Sequence, residues 1–364
     1  MTSDVAIVGV GETPYLRRPD DTSTTPVLLA RAARLALVDA GLEPRDIDGL
    51  GVASFSLGPD RAIDLAVKLG LRVGWLQDSG TGGASGIDLL QHAVRAVEAG
   101  DATNVLLVAG DVLRANDFRA LVDGYNVATR EHLAGIPHGG PNGLFALVTR
   151  RHMLRHGLRR ADYGRLVVAQ RQAAASNPNA AYREPLSIQD YLTAPLIADP
   201  LGLYDCVPVV AGADAFVVAR GSGPRVGAVR ALHNADGHDG DGLTTGLAGL
   251  APRLWSDAGV GPEDIALVSV YDDYPALALV QLADLGFGDP YSVLEAIEEG
   301  TLRVNTGGGQ LSAGQAGAAG GMHGLVEVVR RLRAGEAERG VVTGYGMVAY
   351  RYGACANAAV LEAP

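Results

Sequence analysis

A nine-residue segment, Asp39-Ala40-Gly41-Leu42-Glu43-Pro44-Arg45-Asp46-Ile47, returns late in the chain as Asp257-Ala258-Gly259-Val260-Gly261-Pro262-Glu263-Asp264-Ile265. Six of the nine positions are identical, and each copy reads as a helix that stops at its glycine and turns into a strand. A second echo pairs Ala99-Gly100-Asp101-Ala102 with Ala334-Gly335-Glu336-Ala337, each just ahead of an apolar strand. Both pairs keep the same order, so the chain is built from two similar halves. Strands at Val5–Val10, Leu50–Ser54 and Asn104–Ala109 alternate with helices over Pro26–Ala40, Ala62–Leu69 and from Gly86 to Ala99. That alternation predicts an α/β layered fold.

The halves do not fill the chain. Residues 1–112 form the N-terminal half, completed by a last strand near 211–220, and residues 221–364 form the C-terminal half. The segment 113–210 has no counterpart. An insertion of that length is expected to cap a site rather than to hang as a free linker.

Composition narrows the chemistry. The formal charge of −11 argues against a nucleic-acid partner. The start, MTSDVAIVGVGE, has no basic region ahead of an apolar run, so no secretory signal is expected. No apolar run reaches the roughly 18 residues needed to span a bilayer, which predicts a cytoplasmic protein with no membrane contact. Two cysteines, Cys206 and Cys355, are too few for a disulfide scaffold. Lys68 is the one lysine, so Schiff-base chemistry would rest on it alone. His152 and His156 share a helical face, but five arginines from Arg150 to Arg160 surround them, which disfavours a cation site. Arg150, Arg151 and Arg155 could instead form a solvated helix face or grip phosphates.

Four stretches carry a resemblance. They are VAIVGVGETPY (Val5–Tyr15), the segment Pro185–Val218, VYDDYPALALVQLADLGF (Val270–Phe287) and VNTGGGQLSAGQAGAAGG (Val304–Gly321). Together with the duplicated halves, they resemble the thiolase superfamily, in its sterol-carrier and lipid-transfer-protein branch. The resemblance implies duplicated α/β halves in five layers, α-β-α-β-α, with an inserted loop domain. It also implies a homodimer.

The likeness breaks where thiolases do their chemistry. Their nucleophilic cysteine sits in a Cys-x-Ser-Gly turn, which here reads Gly83-Ala84-Ser85-Gly86. Their Gly-His-Pro histidine is met by Gly314-Gln315-Ala316, and their second cysteine by Val342, ahead of Gly344-Tyr345-Gly346. The strand-end histidine or asparagine of thiolases becomes Tyr271, in Tyr271-Asp272-Asp273-Tyr274. This pattern resembles the cysteine-less thiolase-like retro-aldolases of bacterial steroid side-chain degradation, in which the tyrosine of a YDCF-like motif is catalytic.

That resemblance implies cleavage of a β-hydroxyacyl-CoA, such as one bearing a steroid side chain, into a carbonyl product and a shorter acyl-CoA through an enolate. It requires no cofactor beyond the CoA of the substrate, and no metal. It also implies a small partner protein with an OB fold and zinc ribbon. Tyr271 is then the expected acid/base. Where that family places a second tyrosine this chain has Gln315, so Tyr345 and His323 are the further candidates for the second proton-transfer group. Backbone N–H groups around Gly83, Ser85, Gly86, Asn305, Gly308, Gly309 and Gly344 are expected to hold the thioester oxygen. Two alternatives stay open: a non-catalytic acyl-CoA-binding or scaffold subunit, and an acyltransferase using Ser85.

Overall fold

The computed structural model describes residues 4–114, 139–237, 239–349 and 352–364, with a few single positions between 117 and 136. The early part of the inserted segment, within 115–138, therefore lies largely outside the described residues. The N-terminal half runs β1 (Val5–Glu12), α1 (Thr25–Ala40), β2 (Gly49–Ala53), α2 (Arg61–Leu69), β3 (Trp75–Asp78), α3 (Ser85–Ala99) and β4 (Asn104–Asp111). The insertion contributes α4 (Gly140–His156), α5 (Arg160–Ala174), α6 (Ile188–Thr193) and a small ladder of β5 (Leu196–Ala198) with β6 (Leu201–Gly202). β7 (Gly212–Arg220) then returns to the first half, pairing antiparallel with both β1 and β4. The C-terminal half comprises β8 (Arg225–His233), α7 (Gly246–Ala258), β9 (Leu267–Ser269), α8 (Pro275–Asp284), α9 (Pro290–Glu299) and β10 (Arg303–Val304). It ends with α10 (Gly309–Ala313), α11 (Gly320–Arg333), β11 (Arg339–Ala349) and β12 (Tyr352–Glu362).

The repeat governs the topology. From one edge inward the strands run β3-β2-β4-β7-β1, and from the other β10-β9-β11-β12-β8. The two series match strand for strand in direction: parallel at β2–β4 and β9–β11, antiparallel at β4–β7 and β11–β12. They meet where Ala6 of β1 faces Arg225 of β8, so ten strands form one hydrogen-bonded sheet. The conserved chemistry of the repeat is visible at its turns. Gly41 and Gly259 end α1 and α7 in the left-handed conformation. Asp46 and Asp264 accept the backbone N–H of Glu43 (2.8 Å) and Gly261 (2.9 Å), closing the same turn twice.

Strand alternation divides the core. In β4, Val105 and Leu107 face α3 and α11, whereas Leu106 and Val108 face α1 and α2. The central core draws on β1, β4 and β7 of one half and β9, β11 and β12 of the other, with α3 and α11 sandwiched between. A third core joins α7, α8 and α9 to the outer face of the second half, and the inserted α4 and α5 pack onto it. Five layers result, as expected. Because α3 and α11 are covered on both sides, their close approach needs small residues: a side chain on Gly86 would stand 2.7 Å from the carbonyl of Gly321. Both helices begin at this contact, which puts two helix N-termini and the ends of β9 and β11 in one place.

Candidate active site

Tyr271 lies two residues beyond the end of β9 and is held by its backbone. The N–H of Val270 donates to Asn305 Oδ1 at 2.8 Å, and the N–H of Tyr271 donates to Thr343 Oγ1 at 2.9 Å. Gln281 Nε2 donates to the carbonyl of Tyr271 at 2.6 Å, and Thr343 Oγ1 donates to Gln281 Oε1 at 2.8 Å. β11 and α8 thus clamp a residue that sits outside any regular strand. The aromatic ring is 4% exposed and rests on the turn before α3. A Cβ built on Gly83 would stand 2.1 Å from the ring carbon Cζ and 2.1 Å from the hydroxyl. Glycine at position 83 and tyrosine at position 271 therefore depend on each other: any side chain at 83 would need the space that the phenol fills.

The phenol lies on a cavity of about 230 Å³. Gly83, Tyr271, Asp273, Gln315, Tyr345 and Gly346 line it, and Phe55, Leu113, Phe145, Val207, Val209 and Val348 supply apolar wall. Phe145 of α4 stacks on Tyr274 with ring centroids 5.0 Å apart, and the Tyr274 hydroxyl donates to Asn142 Oδ1 at 2.7 Å. The described part of the insertion therefore does form one wall of the site. Gln315 Nε2 donates to the Tyr271 hydroxyl oxygen at 2.6 Å and to Asp273 Oδ1 at 2.8 Å. The Tyr271 hydroxyl and the Asp273 carboxylate are themselves hydrogen-bonded. The backbone of Gln315 is pinned by segment 208–210: its N–H donates to the Pro208 carbonyl at 3.1 Å, and its carbonyl accepts from Val210 at 3.3 Å.

In the sequence Asp273 stands out only as one of two adjacent carboxylates, able to raise a neighbour's pKa but with no role of its own. Burial, then the neighbouring charge of Asp272, push its carboxyl up to about 7, against the pull of Tyr271 and Gln315. The signal was the pair of adjacent carboxylates, but nothing in the sequence says which one faces the cavity. The structure separates them. Asp272 turns the other way and accepts the N–H groups of Gln310 (2.8 Å) and Leu311 (3.2 Å) at the start of α10. A side chain on Gly309 would stand 2.3 Å from Asp272 Oδ2. The glycine loop is thus a brace behind Tyr271: Asn305, Gly308 and Gly309 are not on the cavity, and two of the loop's N–H donors are already taken.

The remaining expected site residues divide in the same way. Tyr345 does reach the cavity, and its hydroxyl accepts the N–H of Gly353 across the β11–β12 ladder. Burial pushes that phenol well above its ordinary value. Gly344 lets β11 pass close to the carbonyl of Gly83, and Asn357 donates to the Ala84 carbonyl at 2.9 Å beside it. Ser85 is 1% exposed, lies outside the cavity lining and has Thr81 Oγ1 3.4 Å away. The capping position of α3 is taken by Ala84, not by Ser85. Val342 is buried in the central core. Arg150 and Arg155 lie on the outer surface of α4, paired with Asp199 (2.5 Å) and Asp241 (2.7 Å), and Arg151 is exposed beside them. None of the three lines the cavity. His152 is buried with Nδ1 2.9 Å from the Tyr163 hydroxyl. Lys68 is a surface residue paired with Asp64.

His323 is placed differently from the expectation. It faces away from the cavity into a buried cluster, with Nδ1 2.9 Å from Tyr15 Oη and 3.1 Å from Glu12 Oε1. Tyr15 donates to Asp214 at 2.8 Å, and Arg330 donates to Glu12 at 2.7 Å. Burial alone would lower the histidine, but the hydrogen bond and charge of Glu12 with the charge of Asp214 raise it to about 9. Glu12 is raised by burial, yet His323 and Arg330 bring it down to about 2. Burial lifts Asp214 to about 8.

These shifts predict how stability follows pH. His323, raised above its unfolded value, stabilises fully below about pH 6.5 and loses that contribution as pH rises to 9. Asp214, Asp272 and Asp273 hold protons in the folded state that the unfolded chain releases near pH 4, so they too favour the fold less as pH rises to 8. Glu12 acts oppositely, losing its contribution only as pH falls from 4.5 towards 2. The urea midpoint is expected to be higher at pH 5.5 than at pH 9. An equal or higher midpoint at pH 9 would contradict these assignments.

Comparison with known proteins decides the family. A profile described as thiolase C-terminal domain-like matches residues 228–360. The 17-hydroxy-3-oxo-4-pregnene-20-carboxyl-CoA lyase of Mycobacterium tuberculosis is 32% identical over 92% of each chain. The steroid side-chain-cleaving aldolase of Thermomonospora curvata is 29% identical over 90% of each. This chain belongs to the thiolase-like aldolase family. Its fold agrees throughout: the solved Ltp2-ChsH2(DUF35) aldolase superposes with a TM-score of 0.85 at 26% identity, over 100% of this chain and 98% of that one. Human mitochondrial 3-ketoacyl-CoA thiolase shares the fold at a TM-score of 0.76 and 14% identity. Within this thiolase-like aldolase, among the described residues, no helix is long and apolar enough to cross a membrane.

Proposed function

We propose that this thiolase-like aldolase is a CoA-thioester carbon–carbon lyase. It cleaves a β-hydroxyacyl-CoA into a carbonyl compound and a shorter acyl-CoA, through a thioester enolate. One observation carries the reading: the Tyr271 phenol lines the cavity against Gly83, in the space a side chain at that turn would occupy. A tyrosine so placed exchanges protons with a bound substrate; it does not form an acyl-enzyme. The steroid lyase names of the relatives make a bulky, steroid-like β-hydroxyacyl chain the first substrate to try. The apolar wall of Phe55, Phe145 and Val207 suits such a chain.

In this reaction the β-hydroxyl loses its proton, the Cα–Cβ bond breaks, and its electron pair passes into the thioester as an enolate. Gly83 and Gly346 line the cavity, and their backbone N–H groups are the donors assigned to the developing thioester oxyanion. Protonation at Cα completes the cycle. No cofactor enters beyond the CoA of the substrate, and no metal: the charge is spread over the thioester and held by N–H groups. Arg150, Arg151 and Arg155 do not line the cavity, and Arg150 and Arg155 are paired with Asp199 and Asp241, so the geometry does not favour them as the grip on the CoA phosphates. Ser85, enclosed beneath the turn, does not favour acyl transfer.

The protein is further proposed to act in the cytoplasm, as a homodimer, with a small partner of the DUF35 kind carrying an OB fold and zinc ribbon. The solved Ltp2-ChsH2(DUF35) aldolase supports the partner class. The test is α-proton exchange with propionyl-CoA and acetyl-CoA in D2O, with and without a co-purified partner. Deuterium at the α-carbon is the expected result. Acyl-CoA that binds but acquires no deuterium would sink the lyase reading and leave a binding subunit.

A further inference from the structure

We propose that Asp273 is the second acid/base of this site, taking the proton of the substrate β-hydroxyl while Tyr271 serves the α-carbon. The inference rests on the lyase reading above and adds to it the group that the resemblance left unassigned.

The geometry starts from Gln315. In the steroid aldolase pattern this loop carries a second tyrosine, and the third residue of the strand-end motif is cysteine. Here the loop offers Gln315, an amide that is neither acid nor base at ordinary pH, and the motif offers Asp273. The two departures meet in space: Gln315 Nε2 donates to Asp273 Oδ1 at 2.8 Å and to Tyr271 Oη at 2.6 Å. An amide bridging a phenol and a carboxylate keeps the two oxygens close. Tyr271, Asp273 and Gln315 all line that cavity. Of the other expected groups, His323 is turned into the Glu12 cluster, and the Tyr345 hydroxyl accepts the N–H of Gly353 while burial pushes its phenol well above the ordinary value.

Every proton in the cycle is accounted for without an outside donor. The Asp273 carboxylate accepts the β-hydroxyl proton, the alkoxide closes to a carbonyl, and the Cα–Cβ electron pair enters the thioester. The Tyr271 O–H then protonates Cα. The phenolate left behind recovers a proton from Asp273 through their hydrogen bond. Both groups return to their starting states. Three titratable groups bear on Asp273: Tyr271 through the hydrogen bond, Asp272 through its charge, and Tyr345 from β11. Among the described residues none of these is a cation. Burial and Asp272 hold the Asp273 carboxyl near 7, where both protonation states are populated at neutral pH.

The experiment is α-proton exchange of propionyl-CoA in D2O from pH 5 to 9, by wild type, Asp273→Asn, Asp273→Glu and Tyr271→Phe, with thermal melts of each. Exchange runs the Cα half of the cycle backwards, so Tyr271 must pass a proton to Asp273. Wild type is expected to exchange faster as pH rises, with one inflection near 7. Asp273→Asn is expected to lose about 100-fold or more, to lose that inflection, and to melt no lower than wild type. Asp273→Glu restores part of the rate. Exchange by Asp273→Asn at the wild-type rate and pH profile would overturn the proposal, and if Tyr271→Phe is then inactive the lyase reading stands without it. Wild type that never exchanges would remove both together.

Discussion

Tyr271→Phe is expected to cost about 100- to 10,000-fold in carbon–carbon cleavage and in α-proton exchange, the range of a lost acid/base group. The ring should stay where it is. Its position depends on backbone bonds to Thr343 and Gln281 and on the bond from Val270 to Asn305, none of which involves the hydroxyl. Gln315 would lose one acceptor but keep Asp273 at 2.8 Å. The melting temperature should accordingly change little, and acyl-CoA should still bind. Measuring exchange, binding and melting on the same sample separates a lost proton from a lost fold. Full activity in the variant would show that the phenol is only a wall of the cavity.

Gly83→Ala probes the same atom from the opposite side, and its expected effect on activity is as large. The added methyl would lie 2.1 Å from Tyr271 Cζ and from its hydroxyl, so the ring has to move. Overpacking of this kind costs about 1–3 kcal/mol of stability. Moving the phenol would break its bonds to Gln315 and Asp273, so exchange should fall about as far as in Tyr271→Phe. Truncating the buried ring costs stability in its own right, but the double variant Gly83→Ala with Tyr271→Ala has room for both side chains, so its loss of stability should be smaller than the sum of the two single losses, with no activity regained. A double variant whose loss equals that sum would contradict the steric argument.

Much of this was legible beforehand because it is local. The helix-ending glycines Gly41 and Gly259, followed by Pro44 and Pro262, mark the same turn twice, and the apolar strands mark themselves by composition. The missing nucleophile was equally legible, since Gly83 and Val342 have no reactive atom whatever surrounds them. Tyr271 and Gln315 were found by their places in motifs, and the cavity holds both. His323 failed as a candidate because a helix sequence does not reveal which face meets which neighbour. Its partners Glu12 and Tyr15 come from the far end of the chain.

Asp273 shows where sequence reading stops. Residues 272 and 273 lie in an irregular turn, where no period of 2 or 3.6 assigns alternate side chains to faces. Only tertiary packing decides that Asp272 anchors the N–H groups of Gln310 and Leu311 while Asp273 opens to the cavity. What the sequence alone determined is a doubled α/β fold, its capped turns and the absence of a cysteine nucleophile, because each follows from residue type and short-range spacing. What the tertiary structure decided is which polar groups converge. That depends on α3, β9, the loop before α11 and the inserted α4 arriving at one point, and on how burial there shifts a carboxyl group.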